Sequence, residues 1–229
     1  FDAAGQKLVL KVAREPIHVF KEKMAYQRFK QILPVPIVFA EGWQDGFAWC
    51  IQARCRGQVL DDLSPQLQPA WPELVRILRN LHLSSLNPER HETRWRQSLA
   101  QVHGFSQFNK TDLGNLLKAE RWQKYLEELE LLLPVCPKLA YLIHGDLKPA
   151  NILVLDNKVT GLIDWATLGQ GDFVYDWAVL LWYLPQSHYI SALSDLVHAY
   201  VSVGFDLSVL SQRLRAYTIH SALGALLVL

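Results

Sequence analysis

The amino-acid sequence predicts an α+β chain, with a small β-rich N-terminal lobe followed by a larger, mainly helical lobe. Three observations carry this expectation. "QKLVLKVA" near the start alternates with the period of two that a strand requires, and the apolar spacing turns helical beyond Gly57. A short hairpin pattern, "NILVLDNKVTGLID", then interrupts the helical part.

In chain order, "DAAGQ" reads as a turn. The strand after it sets Leu8, Leu10 and Val12 on one side and Lys7, Val9 and Lys11 on the other. From His18 to Leu33 the spacing of Val19, Met24, Phe29 and Ile32 is helical. Pro34 and Pro36 end that helix, because proline lacks an amide donor and restricts the residue before it. A strand follows, and "FAWCIQA" is another apolar run rich in aromatic and branched residues. "RCRGQ" reads as an exposed connector, so a lobe boundary is expected near Arg54 to Gly57, with residues 1–55 in the first lobe and 56–229 in the second. Beyond it, Pro72 is placed near a helix start, and Leu74, Ile77, Leu78 and Leu81 share one face. A further helical segment runs from Asp112 to Leu133, with Glu120 and Lys124 as an i,i+4 pair, and "LPVCP" ends it. A hairpin turning at Asp156-Asn157 comes next. Helices resume from about Phe173, with Asp172 as the capping residue.

Half of the 229 residues are hydrophobic, 20% are charged and the formal net charge is +1. Such a chain can bury a sizeable core, and it carries neither the basic excess of a nucleic-acid-binding module nor the polar bias of a disordered tail. No apolar run reaches the roughly 20 residues that cross a bilayer. Neither nucleic acid nor membrane is therefore an expected partner. The three cysteines, Cys50, Cys55 and Cys136, show no CxxC spacing, and an odd count suits reduced structural thiols in the cytoplasm. The chain opens on Phe1 with no charged leader, as a fragment would.

Polar groups concentrate between residues 141 and 166. His144-Gly145-Asp146 precedes a hairpin that starts at Asn151 and ends near Asp164, so one loop and one strand end converge three oxygen-bearing side chains. Phosphoryl transfer needs such a set. Magnesium prefers oxygen ligands, usually one or two side chains plus phosphates and water, and Asn151 with Asp164 meets that need. Asp146 is left to orient a hydroxyl. Turn chemistry alone, with Asp and Asn bracketing a hairpin, does not explain the full spacing.

"HGDLKPAN" followed by "LIDW" resembles the catalytic and metal loops of the aminoglycoside phosphotransferase family, relatives of the protein kinases. "FKEKMAYQRF", "LPVPIVFAEG" and "RCRGQVLDDL" extend the resemblance, which is strongest toward the hygromycin B phosphotransferase branch. It implies a protein-kinase-like two-lobe fold and two cofactors, ATP (or GTP) and Mg2+. It also implies transfer of the γ-phosphate to a hydroxyl of a small molecule. An aminoglycoside or other cationic amino sugar is the implied acceptor; choline, homoserine and macrolide acceptors stay open, since relatives with these loops phosphorylate all of them.

Carried over residue by residue, Lys11 would contact the α and β phosphates and Glu22 would hold Lys11. Asp146 would be the catalytic base, and Asn151 and Asp164 the magnesium ligands. Alternation leaves Lys7 beside Lys11, and Glu15 lies near Glu22; the resemblance favours Lys11 and Glu22. Lys148 would neutralise transferring phosphate oxygens or face solvent. His144 would hold the loop together and Asp176 would brace it from below. Of the tryptophans, Trp177 reads as core, Trp165 as a candidate for a sugar site and Trp182 as a substrate contact to test. Gly145 stands where regulated protein kinases carry arginine, and the stretch from Asp164 to Asp176 is too short for a peptide platform, so a protein kinase is disfavoured. The strand and loop that cover the phosphates in that family have no counterpart before Lys11. The N-terminal lobe is therefore expected to be incomplete, with a non-catalytic nucleotide-binding scaffold as the rival reading.

Overall fold

The computed structural model describes residues 5–60, 67–84, 119–137 and 141–226. Strand β1 (Leu8–Ala13) pairs antiparallel with β3 (Phe47–Ala53), which also pairs with β2 (Val38–Gln44), giving the order β1-β3-β2. Helix α1 (Pro16–Phe29) lies between β1 and β2 in sequence. It starts two residues before the His18 expected from its spacing and stops four residues before Leu33, with Pro16 at the position where a missing amide costs least. Of the "DAAGQ" turn, residues 2–4 lie outside the described residues; Gly5 has φ +78°.

The register decides which side of β1 matters. Lys11 pairs with Cys50 and Ala13 with Ala48, so Lys11 shares the face on which Cys50 and Ala48 are buried against Val19 of α1. Leu10 and Val12 point the other way and are 63% and 57% exposed. Along α1 the buried residues Val19, Glu22, Ala25 and Phe29 form one stripe. Its first turns close the small cluster under the sheet, and Ala25 and Phe29 belong to the main core, where Phe29 stands 5.4 Å from the Trp165 ring. This helix packs on both the sheet and the main core.

After Ala53 the chain leaves the first sheet. β4 (Gln58–Val59) pairs with β6 (Ile152–Leu155), which pairs with β7 (Lys158–Leu162). The β6–β7 turn falls at Asp156-Asn157 as expected, both with positive φ, which these residues tolerate through local side-chain hydrogen bonding. A third pair joins β5 (Tyr141–Ile143) to β8 (Gly169–Gly171). Helix α2 (Leu67–Leu83) begins five residues before Pro72, which is interior to it and not near its start. Helix α3 (Ala119–Leu132) covers the later part of the predicted Asp112 to Leu133 segment and ends in a 3-10 turn at Leu133–Val135; residues 112–118 and the Glu120 side chain lie outside the described residues.

Three further helices follow among the described residues: α4 (Val174–Tyr183), α5 (Gln186–Val201) and α6 (Leu210–Leu226). All residues of α4 from Val174 to Leu181 are buried, so it is a central helix of the core, with α5 and α6 packed against it. Among the described residues no helix is long and apolar enough to cross a membrane, and none of the three cysteines is in a disulfide.

Asp172 is not the simple cap expected of it. Its carboxylate accepts the Val174 amide at 3.2 Å, yet it is fully buried and chiefly bound to Arg213 Nε and Nη2 at 2.8 and 2.6 Å and to the Tyr217 hydroxyl at 2.7 Å. The fork of Arg213 thereby fastens α6 to the entry of α4. Replacing one partner strands the other as a buried charge, so Arg213→Ala should destabilise the fold by about 3–5 kcal/mol, read from urea denaturation. A loss under about 1 kcal/mol would show the pair to be structurally idle.

Candidate active site

The segment from Tyr141 to Trp165 builds the site. After β5 the chain turns through Gly145, whose φ is +83°; a Cβ there would stand 2.7 Å from the Thr167 carbonyl oxygen, so only glycine fits. The turn is held by Asp176 of α4, fully buried, whose two carboxylate oxygens accept the His144 and Gly145 amides at 2.8 and 2.9 Å. Burial pushes that carboxyl up, but His82 at 3.1 Å and the loop amide outweigh it and hold Asp176 below the usual carboxylate range. Asp176 thus braces the loop as the resemblance implied.

His144 is also fully buried. Its Nε2 lies 3.0 Å from the Ile163 carbonyl and its Nδ1 accepts the Asp146 amide at 3.3 Å, a neutral ring with the proton on Nε2. It ties the loop to Ile163, just after β7, a structural role.

Asp146 stands after that turn. Its Oδ2 accepts Lys148 Nζ at 2.8 Å and Asn151 Nδ2 at 3.0 Å, and its main-chain carbonyl takes Asn151 Nδ2 at 2.8 Å. Oδ1 has no partner among the described residues. The Asn151 amide nitrogen is thus committed to Asp146, which leaves the Asn151 carbonyl oxygen for other ligands. The carboxylate beside Lys148 holds its ammonium above the ordinary lysine value. The Lys148 side chain is 35% exposed, so this pair is screened by solvent.

On the other side of the site, Lys11 reaches from β1 between two carboxylates, Glu22 of α1 and Asp164 after β7, the latter at 2.8 Å. Burial opposes the charge of Lys11, but Glu22 and Asp164 outweigh it and keep the ammonium above its usual value. Burial likewise pushes Asp164 up, and Lys11 outweighs it and holds Asp164 down. Glu22 is only 3% exposed and accepts Gln52 Nε2 and the Trp165 amide, each at 3.1 Å. Lys7 lies outside the strand and exposed, and the Glu15 side chain is 73% exposed. Lys11, Glu22 and Asp164 line a cleft of about 270 Å³.

All six predicted site residues therefore fall into two groups: Lys11 with Glu22 and Asp164, and Asp146 with Lys148 and Asn151. The Asn151 amide oxygen and the Asp164 carboxylate are both oxygen donors, the kind a hard divalent cation takes, so the donor types fit magnesium. Trp165 is fully buried, its indole N–H donating to the Leu162 carbonyl at 2.8 Å, so it lines no sugar site; Trp177 is core and Trp182 is exposed. Sequence reasoning did not find Gln52, His82 or Tyr200. Gln52 left one signal, a polar residue at an inward position of "FAWCIQA". His82, which bridges Asp176 and the Tyr200 hydroxyl, left none.

Two histidines, the buried His144 and the half-buried His220, set a pH limit on the fold. Burial pushes His144 below its ordinary value against the pull of Asp176, and burial pushes His220, whose Nδ1 lies 3.2 Å from the Tyr175 hydroxyl, down to about 4. The unfolded chain takes these protons near 6.5 while the folded one refuses them, so stability is full above pH 6.5 and is lost as pH falls toward 4. For His220 the gap corresponds to roughly 3 kcal/mol. Urea denaturation at pH 7.5 and 4.5 should show this loss, and His220→Phe should flatten it.

The pattern of the phosphotransferase enzyme family matches residues 2–213. Among curated proteins, hygromycin-B 4-O-kinase of Escherichia coli is 25% identical over 211 residues, 81% of this chain. The match spans 58% of that relative's length. Among solved structures, the aminoglycoside phosphotransferase APH(4)-Ia, a thermostable mutant in ternary complex with AMP-PNP and hygromycin B, superposes with a TM-score of 0.73 at 23% identity. That superposition covers 98% of this chain and 79% of the other. APH(3'')-Id of Streptomyces rimosus, in complex with ADP and streptomycin, gives 0.71 at 23% identity over 96% and 88%. The fold is therefore the kinase-like one of these enzymes, a small sheet lobe with a helical C-terminal part.

Proposed function

Because this chain belongs to the phosphotransferase enzyme family, we propose that it transfers the γ-phosphate of ATP to a hydroxyl of a cationic amino sugar, with hygromycin-type aminoglycosides first among the acceptors. The observation that carries the reading is the arrangement of Asp146: one carboxylate oxygen is fixed by Lys148 and Asn151 and the other is open. A carboxylate held this way orients an incoming hydroxyl and accepts its proton as the phosphate moves. Residues 1–55 serve as the nucleotide-binding part and residues from 56 onward as the catalytic part.

Catalysis of this kind is mostly positioning and charge neutralisation. Lys11, kept ionised by Glu22, holds the inner phosphates in place. Lys148, beside Asp146, meets the charge that develops on the transferring group. Asn151 and Asp164 would hold magnesium, which, when bound, neutralises phosphate oxygens and fixes their direction. The buried His144 and Asp176 keep the loop in one conformation so that Asp146 need not reorganise.

Asp146→Ala should lower turnover by about 10²-fold or more while nucleotide affinity stays within a small factor, measured by coupled nucleotide consumption with hygromycin B and by calorimetry. Undiminished turnover in that variant would remove the assignment. The same assay run with streptomycin, choline and homoserine tests the acceptor class.

A further inference from the structure

The cleft of about 270 Å³ between β1, α1 and the segment after β7 holds a side chain that the scheme above leaves unused. His18 lines it. It stands one turn before Glu22 on the same face of α1, and its side chain is 48% exposed, against 31% for Lys11 and 3% for Glu22. The three therefore grade from the closed end of the cleft to its mouth.

Charge and donor supply both point at this residue. Two carboxylates, Glu22 and Asp164, already share the single ammonium of Lys11, so the ionised groups lining the cleft leave an excess of negative charge. A polyphosphate entering there needs further donors. The other lining residues from β1 and α1, among them Val12, Ala13 and Val19, bring no polar side-chain atoms. His18 is the one remaining lining side chain with an N–H to give. Its nearest ionic neighbour is Glu15 at 3.9 Å, beyond hydrogen-bond range, and its ring has no hydrogen-bond partner among the described residues.

Resting on the nucleotide reading, we propose that His18 donates a ring N–H to the outermost phosphate of the bound nucleotide, so that it distinguishes triphosphate from diphosphate. Lys11, deeper in the cleft, serves the inner phosphates. His18 is then a binding residue for the terminal phosphate and contributes to release of the diphosphate product, to which it makes no bond.

The test compares wild type, His18→Ala and His18→Gln, each as the full chain with magnesium, for binding of the β,γ-imido analogues of ATP and GTP and of ADP and GDP. His18→Ala should bind the triphosphate analogue about 10-fold more weakly and the diphosphate within about twofold of wild type, as expected for loss of one bond to a charged group. His18→Gln, which keeps an N–H donor, should recover part of that loss. Equal loss for both nucleotides, or no loss for either, overturns the role of His18 while leaving the phosphotransferase reading intact. A wild-type chain that binds none of the four overturns both.

Discussion

A single buried carboxylate, that of Glu22, joins parts of the chain that are otherwise far apart. It receives Lys11 from β1, Gln52 from β3 and the main-chain amide of Trp165, 143 residues further on. A charge this deeply buried is tolerable only when its oxygens are filled, since an unpaired buried ion costs several kcal/mol. The sheet, α1 and the segment after β7 therefore settle together or not at all. The position of Lys11 relative to Asp164, which shapes the cleft they line, follows from that requirement.

Asp176 does the same for the other half of the site. It is fully buried on the central helix, and its oxygens are used on the His144 and Gly145 amides and on His82. His82 in turn reaches the Tyr200 hydroxyl of α5, so α2, α4 and α5 all bear on the turn that presents Asp146. The Asp146 carboxylate is partly exposed, but its backbone is pinned by groups that are not. Rigidity is supplied from below and access is left open above.

The sequence was most informative where function is local. Asp146, Lys148, Asn151 and Asp164 lie within nineteen positions, and their spacing survives translation into structure because one turn and one hairpin carry them all. The Asp156-Asn157 turn was legible for the same reason. Lys11 needed more: alternation placed Lys7 on its face, and only pairing with Cys50 and the length of the strand separate them. Asp172 was read from its local position before a helix, whereas its main partner, Arg213, stands 41 residues away. His82 shows the limit most plainly. A histidine on an apolar helix face looks the same in sequence whether or not partners 94 and 118 residues distant complete it. Pro72 misled because proline favours helix starts, although α2 accommodates it within its second turn.

Asp164 adopts φ +66° and ψ +62°, the left-handed region that few side chains other than asparagine and aspartate enter at low cost. Its identity is thus doubly determined, by the charge it sets against Lys11 and by the bend its backbone makes between β7 and Trp165. The two demands can be separated chemically. Asparagine at this position keeps the backbone preference and removes only the charge, whereas alanine removes both, and a comparison of the two substitutions would partition electrostatics from conformational strain at a single residue.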